Sequence, residues 1–150
     1  WQLVTYAFLH DPDNLLHLLF NMLALVSIGG SVERVWGASR FLTYYFACVL
    51  SAALVQLLVN YLTGFGEPTV GASGGVFGVL LAFGLMFPRR IVMLLFPPIP
   101  MPAWIFVLLL GVGELLFGVT GAQPGVAHFA HLGGMLGGWL MIRYGRRLRR

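Results

Sequence analysis

Gly71-Ala72-Ser73-Gly74-Gly75 sets one serine among small residues at the head of an apolar run that continues to Phe87, and Ala130-His131-Leu132-Gly133-Gly134 sets a histidine in a second such run. A hydroxyl and an imidazole that meet from two such runs can do nucleophilic chemistry: the ring takes the hydroxyl proton and the oxygen attacks a carbonyl. His17 and Asn21 are i and i+4 on one helix side, offering an imidazole and an amide as neighbouring donors. The serine segment also matches the G-x-S-x-G turn of soluble hydrolases, which needs a strand before the serine and an aqueous sheet around it. Here the serine follows a membrane-length apolar stretch and a short loop, so that fold is excluded. What survives is a serine at a helix N-terminus, where free backbone N–H groups and the helix dipole favour an oxyanion.

The elements that must position these groups belong in lipid. Hydrophobic residues are 59% of the chain and charged residues 9%, with a mean hydropathy of +0.87, values foreign to a water-soluble domain of this size. Apolar stretches fall at 15–35, 41–63, 70–87, 103–120 and 126–142, each near the ~20 residues a helix needs to cross a bilayer. Barrel strands are excluded, being shorter and alternating in polarity. The expectation is an all-α polytopic membrane bundle of five transmembrane helices, with residues 1–150 forming a single domain.

All nine basic residues are arginines. Arg34 and Arg40 flank the first inter-span turn, Arg89 and Arg90 the third, and Arg143, Arg146, Arg147, Arg149 and Arg150 the C-terminus. With five alternating spans these fall on one side, which the positive-inside bias makes cytoplasmic, leaving Asp11, Asp13 and Glu67 on the other. The net charge of +4 therefore reads as topology and not as a nucleic-acid patch, with the terminal arginines also near anionic lipid. Trp1 and the lack of a signal peptide point to a fragment whose N-terminus begins outside the membrane. Cys48 has no disulfide partner and reads as a packed membrane cysteine. Pro88 ends the third span, and Pro97, Pro98, Pro100 and Pro102 keep the short apolar piece 91–96 out of the next helix, at the interface. Gly64 with Gly66, and Gly121 to Gly125 with Pro124, mark the outer turns.

Counting from the arginines, His17 lies 17 residues from Arg34, Ser73 16 from Arg89 and His131 12 from Arg143. At ~1.5 Å per residue these are about 25, 24 and 18 Å, all in the outer half of the bilayer. Polar groups at that depth face the bundle interior. Gly74 with Gly78, and Gly134 with Gly138 below His131, are two Gly-x-x-x-Gly surfaces that let membrane helices approach closely, as a serine–imidazole hydrogen bond requires.

His17-Leu18-Leu19-Phe20-Asn21, Gly71-Ala72-Ser73-Gly74 and Ala130-His131-Leu132-Gly133-Gly134 occur in the order, and on the alternate spans, of the rhomboid intramembrane serine proteases, and Gly29 to Gly37 resembles the segment closing that family's helix after the first loop. The resemblance implies an intramembrane endopeptidase with Ser73 as nucleophile and His131 as general base and acid, a dyad with no aspartate. It also implies an oxyanion site from His17, Asn21 and the Ser73 backbone N–H, with Ala72 contributing. It further implies transmembrane protein substrates entering laterally from the bilayer between the first and fourth spans, a mobile cap at Gly121 to Val126, no cofactor, and a bacterial inner membrane. The family core has six helices, and its first helix with most of the outer loop is absent here. Where many members carry tyrosine one turn after the nucleophile, this chain has Phe77.

Plainer readings stand beside these. His10 and His128 read as outer-surface or structural residues, Glu114 as making an internal hydrogen bond, and Ser51 and Gln56 as packing or water-holding groups. No metal is expected, because no carboxylate or cysteine sits at ligand spacing beside the histidines. The competing functions are a rhomboid-like pseudoprotease that binds membrane segments without cutting them, disfavoured by the presence of both dyad residues, and a small transporter with a histidine proton path, disfavoured by the scarcity of acids in the spans.

Overall fold

The computed structural model describes residues 1–64, 66, 68–94 and 97–145. Glu67, Arg146, Arg147, Arg149 and Arg150, expected on opposite faces, lie outside the described residues. A short helix α1 (Gln2–Thr5) and a 3-10 turn (Tyr6–Phe8) lead into α2 (Leu15–Ala24). Asn14 starts α2 by accepting the His17 N–H on its side chain at 3.2 Å, satisfying one of the orphan donors of a helix start. A wider π turn (Leu25–Gly29) carries the helix on into α3 (Gly30–Trp36), which stops at Gly37 with φ 78°. Next come α4 (Ala38–Thr63), α5 (Ser73–Met86), a hairpin of β1 (Ile91–Met93) and β2 (Pro100–Pro102), α6 (Ala103–Thr120) and α7 (His128–Tyr144). The hairpin is antiparallel, Val92 opposite Met101.

These bounds track the five expected apolar stretches to within a few residues. Among the described residues, Leu15–Trp36, Ala38–Thr63 and Ala103–Thr120 are long and apolar enough to cross a membrane. α5 has 14 residues and α7 has 17. α5 sits inside the bundle with nine of its residues buried, so protein and not lipid sets its length. The piece 91–96, expected at the interface and kept out of the next helix, contributes Ile91–Met93 to the hairpin, while Leu95 and Phe96 lie outside the described residues. The four prolines that stop a helix there also favour this return.

The outer surface is apolar. Leu15, Leu19, Leu54, Leu58, Leu108 and Leu116 are all more than half exposed, as a lipid-facing surface requires.

Inside, helices meet through glycine. A Cβ on Gly75 would lie 2.5 Å from Tyr45 Cε2, one on Gly133 would lie 2.7 Å from Val55 Cβ, and one on Gly134 would strike the Gly74 carbonyl. Hydroxyls tie the same seams: Ser51 Oγ donates to the Gly133 carbonyl at 2.8 Å and Tyr44 to the Gly78 carbonyl at 2.7 Å. Each such bond between membrane helices is worth on the order of 0.6–1.7 kcal/mol, so backbone contact and a few hydroxyls hold α4, α5 and α7 together. Gly134→Ala should destabilise the fold by about 1–3 kcal/mol through overpacking, whereas Gly113→Ala, whose Cβ would meet only Phe117 Cε2 at 3.9 Å, should not. Thermal melts of the two variants in detergent check this; equal melts would contradict the seam.

Candidate active site

The chain enters α5 through Gly71, at φ 118°, whose N–H donates to the Tyr6 carbonyl at 3.0 Å. Only glycine suits both that backbone and its surroundings, because a Cβ there would lie 2.8 Å from His17 Cε1. The bare backbone thus lets the His17 ring lie against the turn that leads to the serine. Ala72, buried, is the N-cap of α5, and its carbonyl accepts the Val76 N–H at 3.0 Å. The N–H groups of Ser73, Gly74 and Gly75 are in the first turn, where a helix has no internal acceptors for them.

α7 presents His131 to this turn from the other side. His131 Nε2 lies 2.7 Å from Ser73 Oγ, and Phe77, one turn after Ser73, stacks on the imidazole at 4.2 Å with a 2° interplanar angle. The other ring nitrogen, Nδ1, lies 2.8 Å from Glu114 Oε2 on α6, and the same oxygen lies 2.7 Å from Nδ1 of His128. An ionised carboxylate only accepts, so both Nδ1 atoms carry protons and donate to it. In a neutral His131 ring Nε2 is then the acceptor, and the Ser73 hydroxyl donates to it. Such a pair can pass the serine proton to the ring as Oγ attacks a carbonyl carbon.

Asn21, only 5% exposed, directs Nδ2 to His10 Nε2 at 3.4 Å, and the His10 and His17 rings meet edge to face at 5.6 Å. The structure thus joins Ser73 directly to His131, sets Ala72 at the helix start and His17 against Gly71, and groups Asn21 with His10. Among the described residues, neither the His17 nor the Asn21 side chain bonds to Ser73.

The Rhomboid domain model matches residues 1–148. The chain belongs to the rhomboid family. It is 36% identical to Rhomboid protein 1, mitochondrial, of Saccharomyces cerevisiae over 126 residues, covering 83% of this chain and 36% of that protein. Identity to Rhomboid protease GluP of Bacillus subtilis is 32% over 146 residues, 93% of this chain and 25% of that protein, and to RHOMBOID-like protein 4 of Arabidopsis thaliana 33% over 141 residues, 94% and 33%. The chain therefore spans a quarter to about a third of the length of these relatives. No solved structure matches it. It is a multi-pass rhomboid membrane protein with an all-α bundle.

Of the two readings open for His128, the structure favours the structural one: the ring is buried and its Nδ1–H reaches Glu114. One feature of this rhomboid site differs from the sequence expectation. Ligand spacing for a metal, lacking along the sequence, exists in three dimensions: Glu114, His128 and His131 bring one ligand atom each within 4.8 Å of one another. Glu114 is distant in sequence from the two histidines but meets them because α6 and α7 are antiparallel around the Gly121–Gly125 turn. Glu114 lies seven residues before Gly121 and His131 six after Gly125, which sets them at nearly the same height on the paired helices. Glu114 does make the internal hydrogen bond expected of it.

Gly71→Ala should cost about 1–3 kcal/mol in backbone strain and push the His17 ring off the turn. A lower melting temperature together with shifted His17 imidazole resonances checks this; unchanged resonances would mean that the turn does not hold the ring.

Proposed function

We propose that residues 1–150 act as one catalytic membrane domain, an intramembrane serine endopeptidase that hydrolyses peptide bonds in or near transmembrane segments of other proteins. The observation that carries the reading is the 2.7 Å contact of Ser73 Oγ with His131 Nε2 under the Phe77 ring. Likeness to a relative named as a rhomboid protease, GluP, supports it.

In the proposed mechanism His131 takes the Ser73 proton as Oγ attacks the scissile carbonyl, then gives it to the leaving amine. Water, deprotonated by the same ring, releases the acyl group. The Ser73 N–H and neighbouring first-turn N–H groups, with Ala72 setting that turn, receive the oxyanion along with His17 and Asn21. For Asn21 this requires its amide to leave His10 as substrate binds. Substrate enters laterally from the lipid between α2 and α6, beside the Gly121–Val126 segment. No cofactor takes part in these steps. A pseudoprotease that binds membrane segments without cutting them is disfavoured by the Ser73–His131 hydrogen bond.

The domain is proposed to cross the membrane five times, with α5 and α7 as its shorter spans, and to keep its C-terminus in the cytoplasm on the strength of the arginine bias. Relatives are named for mitochondria as well as found in a bacterium, so the bacterial inner membrane is part of the proposal.

Reconstituted in lipid, the protein should cleave a model transmembrane segment, and Ser73→Ala and His131→Ala should each abolish cleavage with the fold intact. The double variant should be no worse than either single one, because the two act as a unit. Asn21→Ala should lower kcat about 10- to 10³-fold with little change in KM. Full cleavage by a folded Ser73→Ala protein would end the protease reading. Cysteines placed at Asp13 and Arg89 should be labelled by an impermeant reagent from opposite sides of the membrane; labelling from one side would break the five-span topology.

A further inference from the structure

Rhomboid resemblance supplies a serine and a histidine and no acid, yet an acid is present. Glu114 is the one acidic residue within α6. It is mostly buried, with its side chain 13% exposed, and both of its hydrogen bonds run to histidines through a single oxygen. Burying a carboxylate in a lipid-embedded helix is costly unless it is paired and bonded. The lipid-facing neighbours Leu115 and Leu116 show what this helix otherwise carries at that level.

We propose that Glu114 is the positioning residue of the dyad, making this site a Ser73–His131–Glu114 triad, an inference that rests on the protease reading above. Its Oε2 accepts the Nδ1–H of His131 at 2.8 Å, which selects the tautomer with a bare Nε2, the nitrogen that must receive the Ser73 proton. The ring is already held in its plane by Phe77, but stacking alone leaves the ring free to turn within that plane and either nitrogen free to carry the proton. The carboxylate removes both freedoms. As proton transfer makes the ring cationic, the carboxylate charge also opposes the cost of forming an imidazolium in an apolar interior. His128, whose Nδ1–H reaches the same oxygen at 2.7 Å, anchors the carboxylate so that it does not swing away.

The other groups near His131 do not substitute for Glu114. His17, which lies against Gly71, is a second base, not an anion. α4 meets α7 at this level through Ser51, Ala52 and Val55 against Gly133, none of them ionisable. From α5 come Ser73 and Phe77.

The test combines kinetics with a spectroscopic signature on the lipid-reconstituted protein. ¹⁵N-labelled imidazole spectra at neutral pH should show His131 protonated at Nδ1 and bare at Nε2. Glu114→Gln keeps the side-chain shape but loses the charge and can donate as well as accept, so His131 should shift toward the opposite tautomer. The rate of Ser73 labelling by a fluorophosphonate, and kcat for a model membrane segment, should fall about 10²- to 10⁴-fold with KM little changed. Glu114→Asp, which restores the charge on a shorter arm, should recover part of the loss. A His131 ring bare at Nδ1 in the unsubstituted protein would overturn the inference without any variant. So would a folded Glu114→Gln protein with undiminished labelling. Failure of the unsubstituted protein to be labelled at all would instead remove the protease reading beneath it.

Discussion

The contact on which the site depends contains no side chains. Gly74 and Gly134 bring the backbones of α5 and α7 together so closely that a Cβ on Gly134 would strike the Gly74 carbonyl, and the hydrogen-bonded pair flanks that contact, Ser73 immediately before Gly74 and His131 one turn before Gly134. A serine side chain is short, so its oxygen reaches an imidazole on another helix only if the helices nearly touch. Lipid supplies no hydrophobic drive between helices, so this approach rests on dispersion between bare backbones and on hydroxyl ties. Ser51 to Gly133 and Tyr44 to Gly78 are those ties, and they clamp α7 and α5 to α4 just below the site.

On that seam the chain assembles polar groups in an apolar body. The order runs Ser73, His131, Glu114, His128, each joined to the next by a hydrogen bond of 2.7–2.8 Å. Ser73, His128 and His131 come from the first turns of α5 and α7, whereas Glu114 is carried inside α6. In so dry a setting each bond is stronger and each unmet partner costlier than in water. Phe77 completes the cluster with a flat apolar plate where the hydroxyl of a tyrosine would add a further polar group to satisfy.

Much of this was legible in the residues. The five apolar stretches, the glycine spacing and the approach of Ser73 to His131 that this spacing permits come from composition and helix periodicity alone, since lipid constrains a chain more tightly than water does. What escaped was contact across the α6–α7 turn. On its own helix Glu114 is an isolated acid, and His128 is a histidine at a helix start; only the pairing of α6 with α7 makes them partners. The hairpin at Ile91–Met93 escaped because prolines announce the end of a helix but not the shape of the chain beyond it. The place of Asn21 against His10 escaped because helix periodicity gives the side of a helix, not the loop residue that lies on it.

Every role assigned at this site requires Ser73 to be an activated nucleophile. Peptide mapping by mass spectrometry after treatment of the lipid-embedded protein with diisopropyl fluorophosphate reads this directly. A single phosphoryl adduct on Ser73, absent when His131 is replaced by alanine, is the predicted result. An adduct on another serine, or one on Ser73 that forms equally well without His131, would contradict it.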